Sequence, residues 1–159
     1  MTGCIESGSS LAYRQLDAAL DALAPAVSQL LEQAVGGPAP TCESDGHAHR
    51  FVVPLRFPDG IGRGAVVAQL FPYRDQLRLD VEVTHNRVFA GRDGVPSDRR
   101  CYLNDFIASA TLSPDARELT PEFVRDVIRG VRRAMDGVQR HNRSQSAPWA
   151  QVTVASLSE

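Results

Sequence analysis

The chain has 159 residues, 43% of them hydrophobic and 23% charged, proportions that fit one globular domain and exclude wholesale disorder. Its 17 basic residues are all arginine, and 19 acids leave a formal net charge of −2, which removes the long-range positive field that nucleic-acid binders use. Three widely spaced cysteines imply no disulfide framework and favour a reducing, cytoplasmic compartment, and there is no apolar run long enough to make a membrane span.

Residues 1–8 are small and polar and are expected to be disordered; Met1-Thr2-Gly3-Cys4 has no basic stretch leading into an apolar core, so no signal peptide is expected. From Ser9 to Val35, Leu16, Leu20, Leu23, Val27, Leu30 and Ala34 recur at spacings of three and four, the stripe of a helix buried on one side. Pro25 lacks an N–H and crowds the carbonyl four residues back, predicting a kink or two abutting helices, and Gly36-Gly37-Pro38 ends the segment. Residues 36–48 read as a loop. Three runs then alternate as only strands do: Phe51, Val53, Leu55 and Phe57; Val66, Ala68 and Leu70; Leu77, Leu79, Val81 and Val83. They predict strands over His49–Phe57, Arg63–Phe71 and Gln76–His85, joined by Pro58-Asp59-Gly60 and by Pro72-Tyr73-Arg74-Asp75 into an antiparallel meander.

Asn86 to Arg100 lacks periodicity and reads as a long loop. A fourth strand is expected from Asp105 to Ser113, where Phe106, Ala108, Ala110 and Leu112 alternate with Ile107, Ser109 and Thr111. Thr120-Pro121-Glu122 is a helix start, with a capping side chain, a proline at the first helical position and an acid at the positive end of the dipole. The helix is expected to reach Asn142, burying Phe123, Val124, Val127, Ile128, Val131, Met135 and Val138. Residues 144–159 then form a tail or a last edge strand. The expected architecture is α+β: one domain over 9–143, an antiparallel sheet flanked by two long helices.

No cluster of reactive side chains reads as a catalytic or metal site. Cys42, Asp45, His47 and His49 are of zinc-ligand type, but no second Cys or His pair follows at finger spacing, so they read as polar residues beside a strand. Gly-x-Ser-x-Gly is absent, and Cys101 reads as a half-buried structural cysteine. Asp80 and Glu82 lie on the polar side of a clean strand, and Gly60-Ile61-Gly62-Arg63-Gly64 leads into a strand rather than the helix a phosphate loop needs. A protein that is not an enzyme, with no cofactor and no metal, is the expectation.

Two surfaces remain. Strands one and two carry Val52, Pro54, Ala65, Val67 and Phe71 on their second side, an apolar excess that the second long helix or the tail of the same chain, a second copy or a client peptide must cover. Val52, Pro54, Val67 and Phe71 are the expected protein contacts. The last helix carries Arg125, Arg129, Arg132 and Arg133 off its buried stripe, a face suited to an acidic partner if it is more than solvated surface.

The passage Tyr102-Leu103-Asn104, Phe106 to Leu112, and Glu118-Leu119-Thr120-Pro121-Glu122-Phe123, set after a long helix and a meander, resembles the closing strand-to-helix passage of the type III secretion chaperone and YbjN-like superfamily. That resemblance implies a bacterial, cytoplasmic homodimer holding a segment of a client protein without turnover. The superfamily places a helix after its third strand, for which Asn86 to Arg100 has poor composition. The competing reading is a small-molecule-binding or enzymatic NTF2-like curved sheet. Such a cup needs polar groups pointing inward, and the third strand offers none on its apolar side.

Overall fold

The computed structural model describes residues 6–45, 47–56, 63–90 and 96–156, with side chains over 14–44, 47–55, 63–85 and 104–141. Two helices, α1 (Glu6–Val35) and α2 (Pro121–Ser156), bracket five strands: β1 (Thr41–Asp45), β2 (Ala48–Arg56), β3 (Arg63–Tyr73), β4 (Gln76–Ala90) and β5 (Pro96–Leu112). The strands form one antiparallel sheet in the order β1-β2-β3-β4-β5, an α+β meander of the expected class.

The helix ends follow local chemistry. Gly36 takes a positive φ of 69° and donates its N–H to the Glu32 carbonyl at 2.8 Å, closing α1. At the start of α2 the Thr120 hydroxyl accepts from the Phe123 N–H at 3.3 Å, as the capping pattern predicts. α1 runs through Pro25 as one element rather than two. That residue is exposed and supplies no N–H to the Asp21 carbonyl one turn back.

Cross-strand register sorts every described side chain to one of two faces. One face carries Phe51, Ala68, Val81 and Ala108 in one row, and Val53, Val66, Val83 and Asp105 in the next. α1 packs over β2 and β3, α2 packs over β4 and β5, and the helices touch each other, all on this same face. Leu20, Leu23, Val27, Leu30, Leu31, Val127, Val131 and Val138 meet the strand residues there in one core. The molecule is therefore two layers, and among the described residues no element covers the opposite face.

Four expectations need correction. Residues 41–45 are a strand, not loop: β1 is a short polar edge strand whose side chains are exposed where described, so hydrophobic alternation cannot reveal it. The long loop expected from Asn86 to Arg100 is largely strand, because β4 and β5 continue as a hairpin pairing Asn86 with Tyr102 and Phe89 with Ser97. An irregularity between Arg87 and Phe89 breaks the period there. Residues 144–156, expected as tail or edge strand, continue α2, and residues 6–8, expected to be disordered, open α1. The turn at Pro58-Asp59-Gly60, residues 1–5 and Gly60 to Gly62 lie outside the described residues.

Candidate functional site

The uncovered face is ordered by register into alternating rows. Thr41, Val52, Val67, Glu82 and Phe106 cross all five strands in one row, and Pro54, Ala65, Thr84 and Asn104 form a neighbouring one. On the other side runs a polar row of Glu43, Arg50, Gln69, Asp80 and Ser109, and beyond it Phe71, Arg78 and Thr111. Of the four expected contacts, Val52, Val67 and Pro54 thus form one group. Phe71 stands four residues along β3 from Val67, roughly 13 Å away at strand rise and past Gln69.

Exposure divides them further. Pro54 is open to solvent, Val52 and Phe71 are half-buried, and Val67 is only 1% exposed. Val67 therefore presents almost no surface of its own.

The alternation expected in β5 groups Phe106 with Ala108, Ala110 and Leu112, and the register separates it from them. Val81 pairs with Ala108 and Glu82 pairs with Phe106, so Ile107 is an extra residue in a β-bulge. The bulge reverses the alternation and turns Phe106 onto the uncovered face, where it is 65% exposed, the most exposed large apolar side chain described. Tyr73, 40% exposed, sits at the far end, with the Arg74 and Arg78 guanidinium carbons 5.4 and 5.3 Å from its ring centre. Arg78 Nε donates to Asp80 Oδ1 at 2.9 Å, and the Ser109 hydroxyl donates to the same oxygen at 2.6 Å. That hydrogen bond first, and the charge of Asp80 second, raise the Arg78 pKa further. The face therefore reads as an apolar strip edged by a fixed polar network.

On α2, Arg125, Arg129, Arg132 and Arg133 are exposed and line a shallow groove of about 470 Å³ with Ile128, Asp136 and Arg140. Arg125 lies 3.8 Å from Glu122, and among the described residues the other three have no carboxylate partner. The groove lies on the solvent side of α2, away from the uncovered sheet face, so the two expected contact surfaces are separate.

Of the residues of zinc-ligand type, His47 and His49 have other partners. His47 Nδ1 lies 3.1 Å from Asp17 Oδ1 and His49 Nε2 lies 3.1 Å from Asp21 Oδ1, which ties the β1–β2 hairpin to successive turns of α1. The Ser44 hydroxyl and His49 Nδ1 are 2.8 Å apart. Cys42 is exposed on β1, and its thiol pKa is raised by partial burial and then by the carboxylates of Asp21 and Glu43. Among the described residues no group of three or more metal-ligating side chains converges.

One polar group that sequence reading passed over lies in the core. His85 continues the inward series Leu77, Leu79, Val81 and Val83, is 0% exposed, and lies 2.9 Å through Nε2 from Asp105 Oδ2. Its Nδ1 has no hydrogen-bond partner. The reading that the third strand offers no inward polar group is therefore corrected. Gly64 pairs directly with His85, and a β-carbon at Gly64 would come 2.6 Å from the Thr84 carbonyl oxygen, so the strands approach more closely there than a side chain permits. The signal was present in parity alone: position 85 is the next inward place after Val83.

No described helix is long and apolar enough to cross a membrane. Compared with known proteins, the chain matches no family model, no curated protein and no solved structure.

Proposed function

We propose that the chain is a non-catalytic chaperone or adaptor that holds an apolar segment of a client protein on the uncovered sheet face. The observation that carries this reading is the two-layer arrangement: both long helices pack on one face of the sheet, and among the described residues no element covers the other, which holds Phe106, Pro54, Val52 and Phe71. Burying the exposed part of the Phe106 ring contributes about 3 kcal/mol, taking about 200 Å² for the side chain and 25 cal/mol per Å². A segment lying across the row from Val52 to Phe106 would add the rest. The same proposal includes a homodimer in the cytoplasm of a bacterium, as the type III secretion chaperone and YbjN-like resemblance implies, with the α2 arginines available to an acidic partner.

The test is suppression of aggregation, followed by light scattering, when a chemically unfolded model protein is diluted into the purified chain. Wild type suppresses scattering in proportion to its concentration, and the Phe106→Ser, Pro54→Asp double variant, folded by circular dichroism, does not. Equal suppression by both proteins, or none by wild type, refutes the reading. Sedimentation equilibrium gives the mass and so decides the dimer.

A further inference from the structure

A second concavity lies at the edge of the sheet, between β5 and α2, with a volume of about 490 Å³. Asp105, Ile107, Gly130, Arg133, Gly137 and His141 are among its lining residues. Asp105 is half-buried and held from behind: the fully buried His85 offers its Nε2 to Oδ2, which orients the carboxylate and leaves Oδ1 for another donor. Arg133 stands on the opposite wall, and among the described residues Asp105 pairs with His85 and not with it. The cleft thus sets an oriented carboxylate on its strand wall against a guanidinium on its helix wall, with His141 also in the lining.

The helix wall is shaped as well. Glycine is a poor helix former, yet α2 places Gly130 and Gly137 two turns apart on the cleft side. Gly130 is explained by packing, since a β-carbon there would come 2.7 Å from Ile107 Cγ2. Gly137 is not, because nothing lies within 4 Å of where its β-carbon would be. What Gly137 preserves is open space, and the bulge at Ile107 shapes the facing strand at the same level.

We propose that this cleft binds a small organic molecule that bears a nitrogen donor and an oxygen acceptor and carries no net charge. Its nitrogen donates to Asp105 and its oxygen accepts from Arg133, while Ile107 flanks its apolar body. A primary carboxamide and a free amino acid share this chemistry. A lone cation meets Arg133 and a lone anion meets Asp105, so each is disfavoured by the opposite wall.

The experiment is isothermal titration of the full chain with benzamide and with free phenylalanine, set against benzoate and benzylamine as charged controls. One neutral probe binds at one site per chain, at least tenfold more tightly than either control, and which one binds tells the amide from the amino acid. Gly137→Leu, which fills the space while favouring the helix, weakens that binding at least tenfold, and Arg133→Gln weakens it severalfold with the circular dichroism spectrum unchanged. Absence of binding by both neutral probes, equal binding by a charged control, or binding unaffected by Gly137→Leu overturns the assignment.

Discussion

Two glycines in one helix make the sharpest stability test of the packing. In a helix interior, alanine is favoured over glycine by about 1 kcal/mol, so the substitution carries the same intrinsic gain at 130 and at 137. At Gly137 nothing within 4 Å opposes the added methyl, and the variant is expected to gain about 1 kcal/mol, raising the melting temperature by about 3 °C for a chain of this size. At Gly130 the methyl meets Ile107 Cγ2 at 2.7 Å, and Ile107 is itself wedged between the β5 bulge and α2. Overpacking costs about 2 kcal/mol there and turns the gain into a loss of about 1 kcal/mol. Urea unfolding followed by far-ultraviolet circular dichroism reads both values, with an unchanged slope showing that the same structure unfolds. Equal stabilisation by Gly130→Ala and Gly137→Ala would refute the contact between α2 and the bulge.

His85→Leu is expected to keep or raise stability by about 1 kcal/mol in the same assay, because it removes a buried nitrogen without a partner while Asp105, half-buried, turns to water; a loss above about 2 kcal/mol would make the pair a structural brace. Val67→Ser is expected to cost about 2 kcal/mol although Val67 lies on the face opposite the helices, since its side chain is almost fully buried, and a neutral result would contradict that burial. In a chain with Cys4→Ser and Cys101→Ser, Cys42 is expected to react with a maleimide more slowly at neutral pH than an unperturbed thiol, because a raised pKa leaves less thiolate at any given pH. Asp21→Asn removes one of the carboxylates that disfavour the thiolate and is expected to quicken the reaction; an unchanged rate would argue against that influence.

The parts of the fold legible in the sequence are those in which a face is buried. Leu16 to Ala34, Phe51 to Leu55, Val66 to Leu70 and Leu77 to Val83 alternate or recur because α1, α2 and one sheet face share a core, and Thr120-Pro121 marks a helix start by its own hydrogen-bonding chemistry. β1 was hidden because its described side chains are exposed, and the outer arms of β4 and β5 because an irregular pairing breaks their alternation. The single extra residue at Ile107 had the largest consequence for the site: it put Phe106 on the face opposite Ala108, with which simple alternation groups it, a reversal no periodicity within β5 announces, since only the pairing with β4 defines it. His85 and Asp105 were both in view as residues. Their partnership spans two strands and is a property of the register.

The central claim, that a polypeptide docks on the sheet face opposite the helices, is tested most directly by photo-crosslinking from defined positions. A benzophenone side chain at position 106, on that face, and another at position 33, exposed on α1, are compared with the same labelled, unfolded model protein. Crosslinks from 106 and not from 33 are the result expected here. Crosslinks from 33 alone, or equally from both, would contradict it.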